Sequence, residues 1–200
     1  MTVTCQKTIS FPKRKFYQTM SRGIREGRYF METMNLVMRK GVFADWKDLL
    51  QNVLSQKECA KYMLWNPIYD EEHARENTKK MIEFQRTHDA WLVYEKKSNQ
   101  AIGWAGVTEV EEGVWEDSGI VIGPDFTGKG YGKQLLQCLI RYVFDEKKAD
   151  KMICSCRRGN EVSRLLCQSL GFTYIASEDK TDQRNGEHYT LEYYELFRQD

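Results

Sequence analysis

Ile120-Val121-Ile122-Gly123-Pro124-Asp125-Phe126-Thr127-Gly128-Lys129-Gly130-Tyr131-Gly132-Lys133 is the stretch on which the fold turns. Its apolar start reads as a strand. The pattern after it, with Leu135, Leu136, Leu139, Ile140 and Val143 on one stripe, reads as an amphipathic helix. Between them Gly128, Gly130 and Gly132 stand at every second position. Glycine lets the backbone take positive φ and approach a ligand closely. Consecutive N–H groups then converge at a helix N-terminus, where hydrogen bonds and the helix dipole favour phosphate oxygens. Lys129 and Lys133 add positive charge, so a pyrophosphate suits this turn.

Two nucleotide-binding patterns come close and fail on chemistry. Gly123-x-x-x-x-Gly128-Lys129 follows a P-loop until Gly130, which lacks the hydroxyl that would hold Mg²⁺. A dinucleotide fingerprint starting at Gly128 requires a glycine where Lys133 stands.

Working outward, the hydrophobic period switches between strand and helix. Trp91-Leu92-Val93-Tyr94, Ala101 to Val110 and Val114 to Ile122 read as successive strands, with turns at Asn99-Gln100 and Glu112-Gly113. Earlier, Asn35-Leu36-Val37-Met38 reads as a short strand. Asp45 then caps a helix carrying Trp46, Leu49, Leu50 and Val53. Ser55 with Glu58 has the spacing of a capping box for a short helix with Tyr62 and Met63, broken by Asn66-Pro67. Asp70-Glu71-Glu72 opens a third helix with Ala74, Thr78, Met81, Ile82 and Gln85 inward. Downstream come a strand at Lys151–Cys156, a helix from Asn160 stopped by Gly171, and strands at Phe172–Ala176 and His188–Phe197. That is seven strands in one α/β (α+β) domain with a mixed sheet.

Composition narrows the class. Two hundred residues, 41% hydrophobic and 12% aromatic, exclude a disordered chain or a coiled-coil rod. A net charge of +1 gives no global signature of nucleic-acid binding. No run approaches the roughly 18 apolar residues that span a bilayer, and the N-terminus has no apolar stretch of a secretory signal. Cys5, Cys59, Cys138, Cys154, Cys156 and Cys167 contain no Cys-x-x-Cys pair, and His73, His88 and His188 lie far from them in sequence, so zinc spacing is absent. Thiols inside apolar patterns fit a cytoplasmic protein. Residues 1–30 carry seven basic residues against one acid and read as a basic extension, leaving 23 basic and 28 acidic residues for the domain at 31–200.

Thr127-Gly128-Lys129-Gly130-Tyr131-Gly132 resembles the Gln/Arg-x-x-Gly-x-Gly/Ala signature of the GNAT superfamily of acyl-CoA-dependent N-acetyltransferases, with Thr127 departing from the usual Gln or Arg. The order of elements from about Met34 onward is similar too. Asn160-Glu161-Val162-Ser163 followed by Leu170-Gly171-Phe172 resembles the branch of ribosomal-protein N-terminal acetyltransferases (RimJ/RimL-like), as do Asn185-Gly186 with His188, Arg39 and Trp65. The resemblance implies a mostly antiparallel sheet splayed between Ser118–Ile122 and Lys151–Cys156. Acetyl-CoA would lie there as cosubstrate, with no metal. Its binding residues would be Ile120, Val121, Ile122, Thr127, Gly128, Lys129, Gly130, Tyr131, Gly132, Lys133, Asn160 and Ser163.

The resemblance further implies direct attack by an amine acceptor, without a protein nucleophile. Ser163 is the candidate acid toward the CoA thiolate; otherwise its hydroxyl is helix-surface polarity or bonds back to a carbonyl. Asn160 binds the pantetheine, caps its helix, or does both. Asp117 is the first candidate base and Glu116 the second, on opposite faces of their strand. Asp179 and Asp182, in the loop after Ala176, come third, and solvated charge remains open for all four. Cys154 and Cys156 read as apolar fillers. The acceptor would lie between the early helices and the late hairpin, walled by Tyr62, Trp65 and Trp104, with Glu109, Glu111 and Glu112 giving an acidic approach or merely an exposed hairpin. A homodimer is implied by resemblance alone. A non-catalytic acyl-CoA-binding module and a nucleoside-phosphate enzyme are the alternatives, the latter opposed by Gly130.

Overall fold

The computed structural model describes residues 21–25 and 28–198. Nine strands form one sheet: β1 (Ser21–Arg25), β2 (Arg28–Glu32), β3 (Leu36–Arg39), β4 (Asp89–Glu95), β5 (Ala101–Glu111), β6 (Val114–Ile122), β7 (Lys151–Arg157), β8 (Thr173–Thr181) and β9 (His188–Phe197). Their order is β1-β2-β3-β4-β5-β6-β7-β9-β8. Every neighbouring pair is antiparallel except β6 and β7. The chain makes that parallel step by an overhead crossover, which demands an intervening helix.

The sheet exceeds the expected seven strands by β1 and β2, which fall mostly in the segment read as a basic extension. Ser-Arg-Gly-Ile-Arg shows no apolar alternation, so its pairing with 28–32 left no sequence signal. Residues 1–20 of that extension lie outside the described residues. β8 also runs five residues past Ala176, to Thr181. It is an edge strand, exposed almost throughout, and so lacks the alternation that burial imposes.

The helices are α1 (Trp46–Leu49), which continues as a π-helical turn (Leu50–Leu54), then α2 (Lys57–Ala60) and α3 (Glu71–Thr87). They are followed by α4 (Tyr131–Arg141), extended by a second π-helical turn (Tyr142–Glu146), and α5 (Glu161–Ser169). Asp70 caps α3 as expected, its carboxylate accepting the His73 N–H at 3.0 Å. Asp45 does not cap α1. Its carboxylate accepts the Val42 N–H at 2.7 Å and the Tyr94 hydroxyl, tying the turn before α1 to β4. The Ser55–Glu58 capping box is not formed either: α2 has Gln56 at its N-cap, without a side-chain cap, and ends before Tyr62.

Alternation along the strands divides the core between two faces. On one, Leu135, Leu136, Leu139 and Val143 pack on Trp91, Val93, Ile102 and Met152, and α5 adds Cys167. On the other, Leu49, Val53 and Ala74 from α1 to α3 pack on Leu92, Tyr94, Ala101 and Val121. Leu139 is completely buried. Leu139→Ala should cost about 2–5 kcal/mol in denaturant unfolding, because the close-packed layer collapses only partly around the void. Among the described residues no helix is long and apolar enough to cross a membrane.

Candidate active site

The site begins where β6 and β7 part. They pair only through Val114–Lys151, Trp115–Met152 and Glu116–Ile153. Just beyond, β6 carries a bulge against β5: Ala105 faces Ile120 and Val107 faces Asp117, so Ser118 and Gly119 together oppose Gly106. Gly119 takes φ +109°, a conformation closed to most side chains. Gly123 donates to the Ile102 carbonyl at 2.8 Å, and alternation from there turns the main-chain groups of Ile120 and Ile122 away from β5, toward the gap. The Ile122 carbonyl meets the Cys59 thiol at 3.5 Å. Val121 is placed differently, paired with Trp104 of β5 and with its side chain in the α1–α3 core.

The glycine turn opens beside this fork. Gly128 and Gly130 take φ +73° and +74°, and a Cβ at either would meet nothing within 4 Å. Gly132 lies against α5, where a Cβ would come within 3.4 Å of Leu166. Thr127 bonds back to the Pro124 carbonyl at 2.8 Å, and Lys133 is exposed. Two neighbours reach toward Glu95 instead, Tyr131 from the core and Lys129 from an exposed position. The Tyr131 hydroxyl donates to Glu95 at 2.7 Å, and Lys129 sits 3.6 Å from the same buried carboxylate. Tyr131 and Lys129, with Ser98, hold Glu95 below the usual carboxylate range. Glu95 carried no signal in the sequence, since Lys129 and Tyr131 lie 34 and 36 residues downstream.

Asn160 caps α5, its side chain accepting the Ser163 N–H at 3.2 Å. Ser163 is half-buried near the Cys156 thiol. Burial pushes Cys156 up to about 11, and a hydrogen bond with Cys167 plus burial keeps Cys154 well above the ordinary thiol value. Thiols so disfavoured as thiolates are poor nucleophiles.

The four carboxylates part company. Asp117 accepts the Gly119 N–H at 3.2 Å and the Ser155 N–H of β7 at 3.0 Å. Burial pushes its carboxyl up to about 6, with the Ser155 N–H pulling the other way and the Glu116 charge adding to the rise. Glu116 shares the opposite face of β6 with Ser118. Asp179 is in β8, not a loop, and accepts from Thr190 at 2.7 Å. Asp182 is fully buried between Arg184 and Arg157, which hold it far below the usual carboxylate range.

On that opposite face lies a cleft of about 320 Å³ between α3 and the bulge, lined by Trp65, Met81, Phe84, Trp104, Gly106 and Ser118 among others. Trp65 and Trp104 touch with ring centroids 5.7 Å apart, as expected of walls. The Trp65 indole N–H is buried without a hydrogen-bond partner. The Tyr62 hydroxyl instead donates to the Gly159 carbonyl at 2.8 Å. Arg184 donates to the Trp65 carbonyl, which pins the late hairpin against the cleft wall. Lys80 is the charged residue of the lining, and no carboxylate belongs to it. Gly106 was missed in the sequence; a glycine interrupting an apolar strand was the available signal.

Comparison with known proteins bears on the family and the fold. The acetyltransferase (GNAT) domain model matches residues 35–173. An uncharacterized N-acetyltransferase, p20, of Bacillus licheniformis is 26% identical over 148 residues, covering 71% of this chain and 83% of that protein. A GNAT-family acetyltransferase from Bacillus anthracis superposes with a TM-score of 0.72 at 23% identity, over 84% of this chain and 98% of that one. RimL, a ribosomal L7/L12 alpha-N-protein acetyltransferase solved with coenzyme A, gives 0.68 at 20% identity, over 82% and 95%. The two superpositions speak for the fold. With well over half of the chain matched to the domain model, this protein belongs to the GNAT family of acetyl-CoA-dependent acetyltransferases.

Proposed function

We propose that the protein transfers the acetyl group of acetyl-CoA to a primary amine, at a peptide N-terminus or on a small molecule, by direct attack with both substrates bound. One observation carries this reading. A strand fork with an open glycine turn on one face meets an aromatic-lined cleft on the other, beside the bulge at Ser118–Gly119.

The residues fit the cosubstrate. The space over Gly128 and Gly130 is free, and the main chain at Ile120 and Ile122 faces the gap as a strand edge would. The N–H groups of 128–132 and Lys133 would hold the pyrophosphate, with Asn160 and Ser163 beside the pantetheine. The thioester supplies an activated acetyl carbonyl. The Ile120 N–H is aimed to donate to its oxygen, a contribution typically worth about 3 kcal/mol. Glu116, on the same face but outside the cleft lining, takes the proton from the amine through water, and the Ser163 hydroxyl relays a solvent proton to the leaving sulfur, regaining its own. The protein otherwise contributes positioning.

The cleft itself argues against polycations. Lys80 without a carboxylate repels a polyamine, whereas an α-amine on an apolar carrier suits the two tryptophans. An α-amine also ionises near pH 8 rather than about 10.4, so more of it arrives ready to attack. A thiol-release assay with acetyl-CoA over peptides, amino-acid amides and polyamines tests the reading. Turnover should appear, and Ser118→Leu should lower kcat/KM for the amine at least tenfold with the acetyl-CoA affinity within twofold of wild type. Tight acetyl-CoA binding without thiol release on any amine would make the protein a binding module instead.

A further inference from the structure

Asp117 stands at the vertex of the fork, one residue past the last β6–β7 pair. In an unbroken parallel sheet the Ser155 N–H would be taken by a main-chain carbonyl of β6. Here a side-chain carboxylate takes it, at 3.0 Å, while its other oxygen takes the Gly119 N–H at the bulge, at 3.2 Å. On its far side Ser155 stays in register with Tyr193 of β9, so β7 itself is not distorted to make the contact.

We propose that Asp117 is a positioning residue rather than the proton acceptor: its carboxylate is a spacer that fixes how far β6 and β7 stand apart and aims the Ile120 N–H into the gap. Geometry supports this over proton transfer. The carboxylate lies on the α4–α5 side with Cys154 and Cys167, whereas the amine cleft opens on the face of Ser118. Both oxygens are engaged by main-chain donors. A spacer must accept twice, and only a carboxylate of this length does so across one strand gap. Asparagine offers one acceptor and turns an NH₂ toward the second N–H.

The proposal rests on the acetyl-CoA reading of the fork, so two measurements keep them apart. The first uses the wild-type protein alone. The Ser155 and Gly119 amide resonances should move downfield together as pH rises, with a common midpoint near 6. Of the other groups facing Asp117, the Cys154 thiol also hydrogen-bonds the carboxylate but stays protonated over this range, as does Cys156 nearby, and Glu116 lies on the opposite face. The same titration in Glu116→Gln should therefore persist. Ser155 and Gly119 amides that show no common titration anywhere from about pH 3 to 8 overturn the spacer, whether or not CoA binds.

The second is calorimetric titration of CoA at pH 8, which involves no chemistry. Asp117→Asn should weaken CoA at least tenfold, and Asp117→Glu should not restore it. Unchanged CoA affinity in Asp117→Asn with kcat lost would make Asp117 a proton carrier and sink the proposal. Failure of the wild type to bind CoA would instead sink the acetyl-CoA reading, while the amide titration still judges the spacer.

Discussion

Gly130→Val weakens acetyl-CoA binding roughly 100-fold, or about 2.7 kcal/mol, and lowers the melting temperature by only a few degrees. Two effects work in opposite proportion at this position. Valine at φ +74° is strained by about 1–2 kcal/mol, which falls on the fold. Its branched side chain meets no protein atom, so nothing in the core is displaced. The space it fills is the one over the turn, where N–H groups must reach phosphate oxygens closely. Calorimetric titration beside a thermal melt separates the two. A variant that melts normally and binds acetyl-CoA as tightly as wild type would remove the turn from the cofactor site.

Glu116→Gln lowers kcat by about 100-fold or more at neutral pH, the usual size of general-base catalysis. Glutamine keeps the length and the hydrogen-bonding shape but cannot take a proton. The deficit should narrow as pH rises, because more of the amine then arrives unprotonated and needs no base. KM for acetyl-CoA should stay put, since in the proposed layout the cofactor would face the other side of β6. Pre-steady-state thiol release over pH 6 to 10 reads both. A change under twofold at every pH would assign the proton to solvent.

Much of this arrangement was legible in the residues, for reasons that differ by position. β4 to β7 and α4 announced themselves because burial writes an apolar run or a helical stripe into consecutive residues, as in Trp91 to Tyr94 and Leu135 to Val143. The glycine turn was legible because its chemistry is local. So was Asn160, whose capping bond spans three residues. What stayed hidden was set by contacts far along the chain. β1 and β2 join the sheet through a backbone ladder that leaves no mark on side-chain type. Lys129 looked free for phosphate until Glu95, remote in sequence, came within 3.6 Å. Asp182 looked like a loop carboxylate, yet Arg157 reaches it from β7 and buries its charge. The face of Asp117 could be read from alternation, but its hold on Ser155 depends on how widely two strands stand apart.

The three residue pairs that join β6 to β7 have a mechanical meaning as well. They and the Asp117 carboxylate are the hydrogen-bonded seam between a six-strand block and a three-strand block, with α4 packed on the first and α5 on the second. Cooperativity is weakest along such a seam, so partial opening divides the molecule there rather than fraying it evenly. A pantetheine chain paired to both lips would stitch the blocks together. On the proposed reading the substrate would act as a missing strand, and the apoprotein would be in this sense a sheet one strand short.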